Sequence, residues 1–391
     1  MVDQLSSYRN YVRRIRGLLL FSGLWPTRKW NCLAYRFIPF FNALVCFTMS
    51  CAVLNFCREH FNNLDLLTKG FGLMGSYLTS VLKVVCFLIN HKELVDLHET
   101  LEKYFEKSLS TPEIRIEILN PLNIFVKPFH VITFLLFTGT IVYLVTPLII
   151  ISVQLLHEVH PLKFKLPFPT KYPWSFEGGG LIYCVHYSWE IMAGLYLSSV
   201  TSGVDSLFGY YVFQIRAIFR LMSHRMRNLG AGDEDSGKII RECAEMHRML
   251  AECRDQLQMI YGPIIFWIFL TSATIMCTLI FQASQTQEWT VGRAVVFFVY
   301  ISLKLLQALM YAWYGSIIFT ESEVFRDAVY SSDWAGSGDT SLMNNILIMM
   351  CHKPMVLTAC KFLVISTDMF SAIVNATMSY FFLLQSVDEG N

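Results

Sequence analysis

Seven apolar stretches, each near the length of a bilayer crossing, constrain this chain more than anything else in it. A crossing helix needs about 20 predominantly apolar residues. The stretches lie at residues 37–56, 70–89, 131–153, 181–212, 260–283, 294–319 and 362–385. The sequence is 54% hydrophobic and 16% charged, whereas soluble domains are roughly a quarter charged. The expected fold is therefore all-α: a polytopic membrane protein with seven transmembrane helices. The fourth stretch exceeds a single crossing. Gln214, Arg216 and Arg220 continue its helical pattern beyond the membrane.

Basic residues set the orientation, because cytoplasmic loops carry an excess of Lys and Arg. With the N-terminus inside, the cytoplasmic segments hold Arg9, Arg13, Arg14 and Arg16, and a second group from Lys92 to Lys127. They also hold a dense run from Arg216 to Arg254. The other side holds only Arg58, Lys69, Lys163, Lys165, Lys171 and Arg293. The ratio is about four to one in favour of a cytoplasmic N-terminus. Seven crossings then place the C-terminus outside, the reverse of a G-protein-coupled receptor. That class is also opposed by the lack of Asp-Arg-Tyr after the third stretch and of Asn-Pro-x-x-Tyr in the seventh. The short apolar run at residues 17–24 follows the N-terminal arginines and has no cleavage site after it. It reads as an amphipathic helix lying on the cytoplasmic membrane surface, not as a signal peptide.

Several function classes find no support. A net charge of +1 gives no nucleic-acid footprint. No HExxH, Gly-x-Ser-x-Gly or carboxylate cluster suggests an enzyme, and no cofactor is expected. The 11 cysteines form no CxxC pair in the loops, and His157 and His160 lack further metal ligands nearby. Repeated halves or paired broken helices, the mark of a transporter, are missing.

The connections differ in kind. Residues 92–110 and 238–258 carry apolar residues at helical spacing and read as extensions of membrane helices below the bilayer. The outer connection, residues 157–180, holds four prolines and Gly178-Gly179-Gly180. These forbid a long helix, while Phe164, Phe168, Tyr172, Trp174 and Phe176 suggest a folded aromatic lid. Intramembrane charges are costly and stand out: Lys83, Glu190, Asp205, Lys304 and Asp368. Lys83 is expected to snorkel from the inner end of its span, and the others to stabilise the bundle.

The last third is the most specific part. It contains Met310-Tyr311-Ala312-Trp313-Tyr314-Gly315, Glu321-Ser322, and Ala328-Val329-Tyr330-Ser331-Ser332-Asp333-Trp334. Further on come Cys351-His352-Lys353-Pro354-Met355 and Ser379-Tyr380-Phe381-Phe382-Leu383-Leu384-Gln385. Pro354 interrupts the chain before the last span, so the final element should be split. A stripe of small and polar residues, Ala372, Asn375, Ala376 and Ser379, gives way to Leu383 and Val387 at four-residue steps. Such a face suits a cation path closed by an apolar ring. It suits helix–helix packing equally.

This ordered set resembles the insect odorant receptors, specifically their ligand-tuning subunits and not the co-receptor, whose long cytoplasmic insertion is missing. The related gustatory receptors, which end in a different C-terminal pattern, are the alternative within the superfamily. The resemblance implies an odorant-gated cation channel subunit of olfactory neurons. Residues 1–319 would form six helices with an outer ligand-binding half, residues 320–360 a cytoplasmic anchor, and residues 361–391 the pore-lining helix. Implied anchor residues are Tyr330, Trp334, Leu342, Ile346 and Met350. Pore and gate residues would be Asn375, Ser379, Leu383 and Val387. The implied ligand region offers Met74, Tyr77, Phe137, Tyr143, Met192, Tyr196 and Phe298, a lining for a small aromatic volatile. Implied partners are the odorant-receptor co-receptor, in a hetero-oligomer taken as a tetramer, and membrane lipid.

Overall fold

The computed structural model describes residues 2–28, 33–158, 164–174, 180–229, 236–285, 291–332, 340–351 and 353–389. In chain order the helices are α1 (Val2–Ser22), α2 (Leu33–Glu59), α3 (Leu64–Ile89), α4 (His91–Leu109), α5 (Pro112–Leu119), α6 (Leu122–Leu156) and α7 (Gly180–Arg227). Then follow α8 (Ser236–Gln285), α9 (Val291–Tyr330) and α10 (Thr340–Met350), a hairpin of β1 (Thr358–Ala359) and β2 (Leu363–Val364), and α11 (Thr367–Glu389). The seven predicted spans correspond to α2, α3, α6, α7, α8, α9 and α11.

Five stretches of described helix are long and apolar enough to cross a membrane on both counts, and α7 is not among them. Its middle carries Ser198, Ser199, Ser202, Asp205 and Ser206, all buried. Polarity there is tolerable because α7 is the axial helix. It packs against α1, α2, α3, α4, α6, α8 and α9, so its serines face protein instead of lipid. With 48 residues it is about 72 Å long, against a hydrocarbon core of about 30 Å. It must project well past the membrane, as its sequence predicts.

The predicted extensions form. α8 runs unbroken through residues 238–258 into its apolar half, and α4 buries Leu94, Leu97, Leu101 and Phe105 along one face. On this basic side Glu321 of α9 is almost wholly buried and receives two arginines of α7. Arg216 Nε donates to Oε1 at 2.8 Å and Arg220 Nε to Oε2 at 2.5 Å. Arg220 also reaches Glu117 of α5 at 3.0 Å.

Three expectations need correction. The N-terminal helix does not lie with its apolar face on lipid. Tyr11, Ile15 and Leu19, at four-residue steps, are buried against the bundle. Tyr11 Oη donates to the Ser206 carbonyl at 3.3 Å, and Ser199 Oγ to that of Leu18 at 2.8 Å. Gly203 makes the approach possible, since a Cβ there would meet the Leu19 side chain at 2.9 Å. Lys83 does not snorkel; it is 0% exposed and paired with Asp205. The last helix begins at Thr367, five residues later than the apolar run, because the antiparallel hairpin takes the intervening chain.

Candidate functional site

Two sites emerge, one above the other. The upper is an aromatic cluster around Phe168, supplied by the outer connection. Phe168 is buried with Val45, Cys46 and Met49 of α2, Tyr77 of α3, and Ala193, Tyr196 and Leu197 of α7; Met192 packs against them. Its ring lies flat on Tyr143 of α6, 5.3 Å between centroids, and edge-on to Tyr77 at 6.0 Å. Gly194 admits the ring: a Cβ there would meet Thr140 at 2.9 Å and Phe168 at 3.1 Å.

Glu190 of α7 holds this segment in place. It accepts from the Phe168 backbone N–H at 2.9 Å, from Thr170 Oγ1 at 2.6 Å and from Tyr172 Oη at 3.3 Å. One buried carboxylate thus satisfies three donors of the connection, which is what allows it to be buried. Lys171 anchors the far side, its N–H donating to the Ala52 carbonyl at 3.0 Å and its ammonium meeting Glu59 at 3.1 Å. The predicted aromatic lid is present among the described residues. Phe176, Gly178 and Gly179 lie outside them.

The predicted ligand residues are dispersed around this cluster. Tyr77, Tyr143 and Met192 meet there. Tyr196 turns toward α1 and α2, with its ring 5.4 Å from Phe21 and 6.3 Å from Phe41. Met74 and Phe137 are half-buried. Phe298 is 63% exposed on the outside of α9. The Tyr77 hydroxyl is buried and finds no hydrogen-bond partner among the described residues. It is a polar handle in an otherwise apolar and aromatic setting, the usual makeup of a small-ligand site. In the sequence Phe168 stands out only as one of the aromatics of the outer connection.

The lower site is a buried polar knot joining α3, α7 and α9. Asp205 receives Lys83 Nζ at 2.5 Å, Gln307 Nε2 at 2.7 Å and Tyr311 Oη at 2.5 Å. Lys304 is buried nearby on α9, its ammonium 5.8 Å from the centre of the Tyr300 ring. The sequence marked these charges but could not pair them.

The last helix turns one face inward. Ile373 and Thr377 are buried where α11 packs on α8 and α9. Ala372, Asn375, Ala376 and Ser379 are exposed on the other face. Ser379 Oγ donates to the Asn375 carbonyl at 3.0 Å. Leu383 and Val387 continue α11, but their side chains lie outside the described residues. In α10, Ile346 is wholly buried in the chain's own core and Met350 packs against it. Leu347, Ile348 and Tyr330 are exposed. The Leu342 side chain and Trp334 lie outside the described residues.

The sequence model of the 7tm odorant receptor family matches residues 63–378. The chain belongs to that family. Odorant receptor 13a of Drosophila melanogaster is 25% identical over 279 residues. That alignment covers 66% of each chain, just under two thirds of the relative's length. Odorant receptor 82a of the same fly is 23% identical, covering 86% of this receptor and 88% of that one. The odorant receptor coreceptor of Anopheles gambiae aligns over only 37% of this receptor and 30% of its own chain. This chain therefore groups with the tuning receptors and not with the co-receptor. The structure of the insect olfactory receptor OR5 from Machilis hrabei superposes with a TM-score of 0.75 over 98% of this chain and 100% of that one, at 16% identity. The same receptor in complex with eugenol gives a TM-score of 0.69 over 97% and 98%.

The receptor's C-terminal motif now has physical content. Tyr311 serves Asp205, and Glu321 holds the two arginines. Ser322 Oγ accepts the Met355 N–H at 2.8 Å, tying α9 to the segment before the hairpin. Gly315 touches the chain just before α11, where a Cβ would collide with the Ile365 carbonyl oxygen.

Proposed function

We propose that this receptor is the ligand-tuning subunit of an odorant-gated cation channel, assembled with an odorant-receptor co-receptor in the plasma membrane of olfactory neurons. The reading is carried by the two faces of α11. Had its small and polar stripe served packing within the chain, Asn375 and Ser379 would be buried against α8 and α9. Ile373 and Thr377 fill that role instead, leaving the stripe for a pore or a neighbouring subunit. Leu383 is the proposed gate, with Val387 just outside it; apolar rings close pores by dewetting.

The ligand is a small aromatic volatile held in the upper cluster, where ring contacts and dispersion supply most of the affinity and the Tyr77 hydroxyl orients it. It competes with the Phe168 ring for the space beside Tyr77 and Tyr143. A ligand that fits better when α11 has moved outward shifts the population toward the open state. Met74, Phe137, Met192 and Tyr196 remain part of the proposed lining, whereas Phe298, exposed on the outside of α9, is left out of it. The anchor surface toward other subunits is best assigned to Tyr330, Leu347 and Ile348, since Ile346 and Met350 serve this chain's own core. Tetrameric stoichiometry remains part of the proposal.

The test is current recording from cells expressing the receptor with a co-receptor, screened with small aromatic volatiles. Current should need both chains. A ligand response that persists without the co-receptor, or a conductance untouched by Leu383→Ala, would count against the assignment.

A further inference from the structure

The basic side of the bundle holds a hollow that the odorant reading does not use. It lies between α1 and α6 and has a volume of ≈ 580 Å³, against ≈ 360 Å³ for a second hollow beside Arg28. One end of the larger is cationic. Arg14 Nη1 lies 2.6 Å from His130 Nε2. A guanidinium can only donate, so the ring nitrogen accepts and the imidazole is neutral. The Arg14 charge is thus not compensated there, and among the described residues no carboxylate pairs with it. Arg13 beside it and Lys127, three residues before His130, are exposed as well.

The other end is apolar. Leu18 and Phe134 line it, and Phe134 is 68% exposed beside an exposed Val131 on the outer face of α6. The floor is bare backbone at Gly17, where an added Cβ would meet nothing within 4 Å. On the wall, Thr133 Oγ1 is buried with no hydrogen-bond partner among the described residues. An uncompensated guanidinium, an unpaired hydroxyl and an apolar groove therefore share one hollow. They do so where the N-terminal arginines meet the first apolar turns of α6, the level of a headgroup.

We propose that this hollow binds an anionic phospholipid of the cytoplasmic leaflet. The headgroup phosphate meets Arg14, whose forked donors match two phosphate oxygens, with Thr133 as a further donor. One acyl chain lies along Phe134 and Val131. Anionic lipids are concentrated in that leaflet. Occupancy holds α1 in its seat on α7, so the lipid stabilises the basic half of the receptor whatever ligand the outer cluster takes.

The test uses the full-length chain in nanodiscs of phosphatidylcholine containing a minor fraction of photoactivatable phosphatidylserine. Labelled peptides are mapped by mass spectrometry. Labelling is expected on the α1 and α6 segments that line the hollow. Arg14→Gln should reduce it about fivefold, the weight of one basic side chain at an anionic lipid surface. Gly17→Leu, at a position where an added Cβ meets nothing within 4 Å, occupies part of the hollow and should reduce it comparably, with melting behaviour unchanged in plain phosphatidylcholine. Equal labelling by a photoactivatable phosphatidylcholine would overturn the proposal, as would labelling unchanged in both variants. Complete displacement by inorganic phosphate would identify a free-anion site and overturn the lipid assignment.

Discussion

Phe168 decides how much room the outer cluster offers. Its ring occupies the angle between Tyr77 and Tyr143, and Glu190 fixes the backbone that delivers it. Phe168→Leu keeps the site apolar but shortens the plug. Dose–response curves should then shift by about tenfold in favour of bulkier volatiles, the scale on which apolar pockets discriminate. An unchanged ranking across a ligand series would remove Phe168 from the site. His98 offers a second residue-scale test, outside the membrane. Burial in α4, with Arg16 nearby, lowers its pKa to about 4, from about 6.5 in an unfolded chain. The folded form therefore refuses a proton that the unfolded form accepts. Stability should be intact above about pH 6.5 and fall as pH drops toward 4, by about 2 kcal/mol at pH 5. Melting of purified receptor at the two pH values should show this loss, and His98→Phe should flatten it.

Among the elements, the hairpin between α10 and α11 is the sharpest constraint. Thr358 bonds to Gln258 of α8 through both its N–H, at 2.9 Å, and its hydroxyl. Gly262 and Gly315 leave space for its backbone on α8 and α9. Gly315→Ala would push the Ile365 carbonyl away, an overpacking cost of about 1–3 kcal/mol, and displace the start of α11. Ligand-evoked current should fall more than surface expression does, measured side by side by recording and surface labelling. The hairpin itself was not legible in the sequence. Its turn places Cys360 and Lys361 at φ of 52° and 69°, a region where Gly and Asn are the usual signals. The spans were legible because lipid leaves only apolar runs as candidates. The seat of α1 was not, since a stripe of Tyr11, Ile15 and Leu19 suits lipid and protein equally. The lid aromatics were visible, but which of them entered the bundle depended on Gly194 and Glu190, far along the chain.

At the scale of the whole molecule, the knot at Asp205 joins three helices through groups that lipid would not tolerate alone. Removing one partner of a buried pair is more costly than removing both. Asp205→Asn should therefore destabilise the receptor by about 3–5 kcal/mol, read as a lowered melting temperature in detergent. The double change Lys83→Met with Asp205→Asn removes the orphaned ammonium, keeps an amide oxygen as acceptor for Gln307 or Tyr311, and should recover most of it. Equal losses for the single and double variants would mean that the pair carries no such penalty.

The axial helix α7 runs from the Phe168 cluster, past this knot, to the arginines at Glu321. The side chains of the proposed ligand cluster occupy only its upper turns. Point substitutions there can retune what is sensed while the lower turns keep their partners. A gene copy of such a receptor can drift toward a new odour one residue at a time without relearning how to assemble.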